Sequence, residues 1–136
     1  MNTGAAAPVT LGIVGTGRIA LAEHLPALRR QPRLRVVALC DTSPDNLARA
    51  AALFPEAARY DDDRALLQHP GLQAVGVLTP PQSHAAIALR ALDADLHVLI
   101  EKPLAITLDE SEALLQRATD AGRAVVVGFN TRWHRT

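Results

Sequence analysis

From Val9 onward the chain alternates short apolar runs with longer stretches of helical periodicity. That alternation limits the possible folds more than any other feature. Val9–Val14 is apolar and ends at glycine. Leu34–Cys40 is a second such run. Ala58–Tyr60, 73–78, 96–100 and 124–129 follow. Between them lie helical patterns at 18–30, 46–54, 63–69, 82–92 and the stretch from Thr107 to Gly122. Near-continuous apolar strands separated by helices predict a parallel sheet covered on both faces. Right-handed crossovers leave few ways to connect it.

Local signals mark several helix ends. Ser43-Pro44 pairs an N-cap serine with proline at the first helical position. Thr107 and Glu110 form a capping box, and Gly122 suits the left-handed cap at the far end. Pro26 interrupts the first helix and is a candidate kink. The 136 residues suffice for one domain with a sizeable core, not two. Residues 1–8 read as a loose tail, 9–130 as the domain, and 131–136 as the start of a connection onward.

The first strand runs into Gly15-Thr16-Gly17-Arg18-Ile19-Ala20. Gly15 permits a tight turn, Gly17 lets a pyrophosphate approach the backbone, and Ala20 allows close packing of helix on strand. Free N–H groups at the helix start face such phosphates. This turn predicts the dinucleotide-binding strand order, in which the chain doubles back after the third strand. Ligands then sit beyond the carboxyl ends of the strands. Gly15, Asp41, Thr79, Glu101, Lys102 and Asn130 all fall at such ends.

Asp41 stands about 20 residues beyond the glycines, where an acid can accept hydrogen bonds from adenosine ribose hydroxyls. It would repel a 2′-phosphate, and neither Thr42 nor Ser43 is an arginine that would welcome one. NAD is therefore expected over NADP. The plainer reading is that Asp41 only starts the turn at Thr42-Ser43-Pro44. Thr79-Pro80-Pro81 ends a strand at the central crevice, with the Thr79 carbonyl and hydroxyl expected on the ligand side. His84 follows early in the next helix. It is a candidate site residue, set against the ordinary packing histidine.

Lys102 is the sharpest catalytic candidate. A lysine ending a buried strand needs a polar partner. A nicotinamide ribose or a substrate hydroxyl would supply one, and proton transfer to or from that hydroxyl would follow. Glu101 is placed to hold the lysine, and Pro103 fixes the turn, a candidate cis bond before it. The plainer reading is a solvated Glu-Lys pair. Asp61, Asp62 and Asp63 read as a solvated turn and helix cap.

Other chemistries lack their residues. Fourteen basic and fourteen acidic side chains cancel, so no basic face points to nucleic acid or a membrane surface. Aromatics are only 3%, too few for a base-stacking platform. Cys40 is the single cysteine, which fits a reducing cytoplasm and excludes an internal disulfide. His24, His69 and His97 lack metal-ligand spacing. The N-terminus does not read as a signal peptide, and no apolar run is long enough to span a bilayer.

Several stretches together resemble the glucose–fructose oxidoreductase/inositol dehydrogenase (Gfo/Idh/MocA) family: Gly12 to Ala20, His24-Leu-Pro-Ala-Leu28, Cys40-Asp41, Thr79-Pro80-Pro81 with His84, Glu101-Lys102-Pro103-Leu104 and Gly128-Phe129-Asn130. The resemblance implies a Rossmann domain binding NAD(P), with Lys102 near the nicotinamide and the reacting carbon. It implies an oxidoreductase acting on CH–OH groups of sugars, polyols and related alcohols. It also implies a second α/β domain that shapes the substrate pocket, supplies a catalytic histidine and carries any homo-oligomer contact. His134 does not match that histidine. Trp133 reads as a residue that would pack on such a domain. The expectation is thus a cofactor-binding half, inactive alone. A stand-alone nucleotide-binding or redox-sensing module, a subunit completed by another chain, and a binder of another adenine ligand such as S-adenosylmethionine are the other readings.

Overall fold

A computed structural model describes residues 4–128. Phe129, Asn130, Trp133 and His134, named above, lie outside the described residues. Six parallel strands form one sheet: β1 (Val9–Val14), β2 (Leu34–Cys40), β3 (Ala58–Tyr60), β4 (Ala74–Val77), β5 (His97–Glu101) and β6 (Val125–Gly128), in the order β3-β2-β1-β4-β5-β6. This is the doubled-back order that the glycine turn predicts. β1 lies between β2 and β4, so Val14 sits level with Cys40 on one side and Val77 on the other.

Side-chain alternation splits the core into two layers. Leu11, Ile13 and Leu39 face a layer with Ala20, Leu25, Ala50 and Leu78. This layer is closed by α1 (Leu25–Arg29) and α2 (Pro44–Leu53). Val14, Cys40, Val77 and Ile100 face the other layer, with Leu66, Ala88, Leu92 and Leu114. It is closed by α3 (Asp63–Leu66), α4 (His84–Asp93) and α5 (Leu108–Ala121).

The capping chemistry forms as the sequence predicts. Ser43 accepts from the Asn46 N–H. Thr107 and Glu110 make both bonds of the capping box, and Gly122 takes the left-handed conformation at φ 64°. The first helix departs from expectation. Rather than one continuous helix kinked at Pro26, a π turn over Ala20–His24 leads into α1. Proline has no N–H to give Ala22, and its ring crowds that carbonyl. The chain widens one turn instead, so that the Leu25 N–H reaches Ala20, five residues back.

The acidic run also differs from a merely solvated turn. Asp62 caps α3 through the Arg64 N–H, as expected. Asp63, however, takes two hydrogen bonds from Arg90 of α4, at 2.6 and 3.0 Å.

Cys40 is 3% exposed. Burial, with Asp63, Asp41, Asp62 and Asp61 nearby, pushes its thiol up to about 12. Only the thiolate reacts with disulfide reagents. The folded chain at pH 8 should therefore leave Cys40 unlabelled by Ellman's reagent and give one equivalent of colour in denaturant. Rapid labelling without denaturant would contradict this burial.

Candidate cofactor site

The carboxyl ends of β1 and β4 part at the point where the strand order reverses, and the glycine turn lies there. Gly15 has φ 95°, and a Cβ on it would come within 2.7 Å of the Leu78 and Thr79 backbone. Conformation and space both require glycine. Its N–H bonds to Cys40 O at 2.9 Å, and the Leu78 N–H bonds to Val14 O at 2.8 Å. The turn is thus tied to both neighbouring strands. Gly17 is different: a Cβ there would meet nothing within 4 Å. The fold itself gives no steric reason for glycine at this position. A dinucleotide pyrophosphate drawn against the backbone would. The helix that begins at residue 18 adds N–H groups without intrahelical partners, and Arg18 and Ile19 are exposed beside them.

Asp41 holds the turn from the side. Its Oδ2 accepts from the Thr16 N–H at 2.8 Å and from the Thr16 hydroxyl at 3.0 Å. Its Oδ1 accepts from the Ser43 N–H at 2.8 Å. Asp41 thus starts the Ser43 turn, as the plainer reading has it, and it also braces the glycine turn, a role that neither reading of the sequence named. An ionised carboxylate offers about four acceptor positions, and three are used here. Thr16 is fully buried with both of its donors on Asp41, so its place is within the turn.

At the end of β4 the expectation needs correction. The Thr79 carbonyl and hydroxyl are engaged inside the chain. The carbonyl lies 2.7 Å from His84 Nε2, and the hydroxyl accepts from Ser83 at 2.6 Å. Pro80 is exposed, and its carbonyl accepts from the Ser83 hydroxyl and N–H. His84 is fully buried, with Nδ1 2.7 Å from Pro103 O. It therefore joins the loop after β4 to the loop after β5. A neutral ring donates to one of those carbonyls, and a doubly protonated ring donates to both.

The end of β5 reverses another expectation. Lys102 is exposed, just past the strand, and the Lys102–Pro103 bond is cis. The buried charge is Glu101, 6% exposed. Glu101 does not hold Lys102. Its Oε2 lies 2.8 Å from His24 Nε2 instead, and no ion pair joins it to Lys102 among the described residues. Sequence reasoning missed His24 as a site residue. The only signal was its place in the His24-Leu-Pro-Ala-Leu28 stretch.

A separate cleft of about 640 Å³, lined by Arg35, Phe54, Ala57 and Pro70 among others, lies at the opposite, amino end of the strands. It touches none of the residues above. No group of His, Cys, Asp and Glu suited to a metal occurs among the described residues. No helix there is long and apolar enough to cross a membrane.

Comparison with known proteins agrees with this arrangement. Residues 9–129 match the Gfo/Idh/MocA oxidoreductase family, NAD-binding Rossmann fold, and the chain belongs to that family. It is 39% identical to a 1-carboxy-3-chloro-3,4-dihydroxycyclohexa-1,5-diene dehydrogenase of Comamonas testosteroni, over 88% of this chain and 30% of that one. It superposes on a 3-ketoreductase from Actinomadura kijaniata, solved with TDP-benzene and NADP, at TM-score 0.87 and 32% identity, covering 93% of this chain and 40% of that one. It also superposes on biliverdin reductase from Synechocystis sp. PCC 6803, solved with biliverdin and NADP+, at TM-score 0.82 and 35% identity, covering 89% and 38%. The chain thus spans 30–40% of the length of these proteins. NADP in both solved complexes removes the expectation that NADP is disfavoured. What stands is a nicotinamide dinucleotide, phosphorylated or not.

The His84 bridge can be tested by stability. His84→Leu leaves each carbonyl that the ring donates to without its partner, at about 1–3 kcal/mol where that carbonyl stays dry. Urea denaturation should show a clearly lower midpoint, with His84→Gln less affected. A midpoint unchanged in the leucine variant would show that the bridge contributes nothing.

Proposed function

We propose that residues 1–136 form the nicotinamide-dinucleotide-binding part of an oxidoreductase that interconverts a CH–OH group and a carbonyl on a sugar, polyol or related alcohol. The observation that carries this reading is the unfilled space at Gly17, at the start of a helix and at the point where the strand order reverses. The dehydrogenase and ketoreductase relatives support the reaction class.

Each residue then has a task. Gly15, Gly17, Arg18 and Ile19 receive the pyrophosphate at the helix start. Thr16 keeps Asp41 against the turn, and the unused acceptor position of Asp41 takes an adenosine ribose hydroxyl. Pro80 borders the crevice, and Thr79 and His84 set the shape of its wall. Glu101 lies under the nicotinamide end. A bound nicotinamide ring supplies the two-electron acceptor or donor. Lys102 orients the substrate oxygen; its ammonium would give a proton to the oxygen when the carbonyl is reduced, and its neutral amine would take the hydroxyl proton when the alcohol is oxidised. Asn130 is assigned to the same end from its place after the sixth strand.

The substrate pocket is assigned to residues outside 1–136. Relatives more than twice as long support this. Holding a reacting carbon in place can supply about 7–11 kcal/mol of the barrier, and one sheet edge with a lysine offers little to hold it.

Binding of NADH and NADPH to the parent chain and to Gly17→Val, followed by nicotinamide fluorescence, tests the site. The parent should bind. The valine variant should keep its thermal midpoint and lose at least about tenfold in affinity, roughly 1.4 kcal/mol. A parent that binds neither nucleotide, or a folded valine variant that binds as tightly, would overturn the proposal. The same chain should produce no steady NADH from NAD with inositol or glucose. Sustained production from a pure sample would show that the pocket lies within these residues.

A further inference from the structure

Glu101 is a buried carboxylate with only one of its two oxygens hydrogen-bonded. Oε2 has His24 Nε2 at 2.8 Å, while Oε1 is buried with no partner. A carboxylate kept from water is costly unless paired and hydrogen-bonded. An unmatched buried oxygen in a native fold calls for a physical reason.

The surroundings confine this carboxylate. Gly128 of β6 stands level with Glu101, and a Cβ there would come to 3.4 Å from Oε2. From the other side, His24 arrives as the last residue of the π turn. Extra width in that turn shifts where the residues just before Pro26 project. Seventy-seven residues of sequence separate the two partners, so their meeting depends on this local widening and on the sheet order. The His24 side chain is 20% exposed and that of Glu101 8%. The pair therefore sits at the inner wall of the carboxyl edge.

We infer that His24 is a positioning residue for the nicotinamide end of the site, acting through Glu101. This rests on the dinucleotide reading above. His24 fixes Oε2, so the carboxylate cannot swing to the ammonium of Lys102, its neighbour in sequence. Two consequences follow. Oε1 is left as an unshared acceptor for a hydroxyl of the ribose that carries the nicotinamide. Lys102 keeps its charge for the substrate oxygen. Without His24, the buried Glu101 has no partner at all. It then turns to Lys102, and both functions suffer together.

Two ligands separate this role from a merely structural one. NADH reaches the nicotinamide end, whereas ADP stops at the pyrophosphate. In the full chain, His24→Leu should weaken NADH binding by about tenfold, the scale of one charge-assisted hydrogen bond. ADP affinity should stay within about twofold on the same scale. His24→Gln, which keeps a donor of similar reach, should recover most of the NADH affinity. If the leucine variant does not fold, His24→Asn, too short to reach Glu101, is read by the same split. Equal losses for NADH and ADP, no loss for either, or no recovery with glutamine would overturn the positioning role. A parent chain that binds ADP and NADH equally would do the same. A parent that binds neither nucleotide would remove the dinucleotide reading itself, and this inference with it.

Discussion

The direct pairing of β1 with β4 is the constraint on which the rest of the molecule depends. Because strands far apart in sequence lie side by side, the turn after β1 is pressed against the end of β4. A Cβ on Gly15 would reach the Leu78 and Thr79 backbone at 2.7 Å. Nothing but glycine fits that contact with φ at 95°. The same pairing sends the following connections to opposite faces of the sheet, which opens the crevice beyond the strand ends. Gly17, Asp41, Thr79 and Glu101 are brought round that opening by sheet order alone.

Two polar clamps then shape the opening, one on each side. Asp41 gathers Thr16 and Ser43, which ties the glycine turn to the loop after β2. His84 does the same for the loops after β4 and β5 through Thr79 and Pro103. Networks of this kind are stabilising only when each member finds its partner. The open acceptor among the described residues is Glu101 Oε1, next in sequence to Lys102, and in the proposed function it is there that ligand and protein complete one another.

Much of this could be read from sequence because its causes are local. Leu34–Cys40 and Ala58–Tyr60 end at turn-forming residues, and both strands form with those bounds. Thr107, Glu110 and Gly122 make their caps from neighbours three or four residues away. The strand order follows from one glycine turn, because few connections suit it. What stayed hidden depends on distant contacts or on competition. Pro26 announced trouble in the first helix but not whether the chain would kink or widen; the residue at the junction, Leu25, is buried in the layer with Ile13 and Leu39. Histidine alone does not say that His84 lies between two carbonyls. Nor does the Glu101-Lys102 sequence reveal that the acid pairs with His24 across the fold, leaving the lysine exposed.

The central claim is that the carboxyl edge of the sheet, and not the amino-end cleft, receives a nicotinamide dinucleotide. Amide hydrogen exchange of the chain with and without saturating NADH tests it most directly, since local protection reports which segments a ligand steadies. The account predicts slower exchange in residues 15–20, 79–84 and 101–104, with the cleft lined by Arg35, Phe54 and Pro70 unchanged. Slowing confined to that cleft, or none at the carboxyl edge, would contradict it.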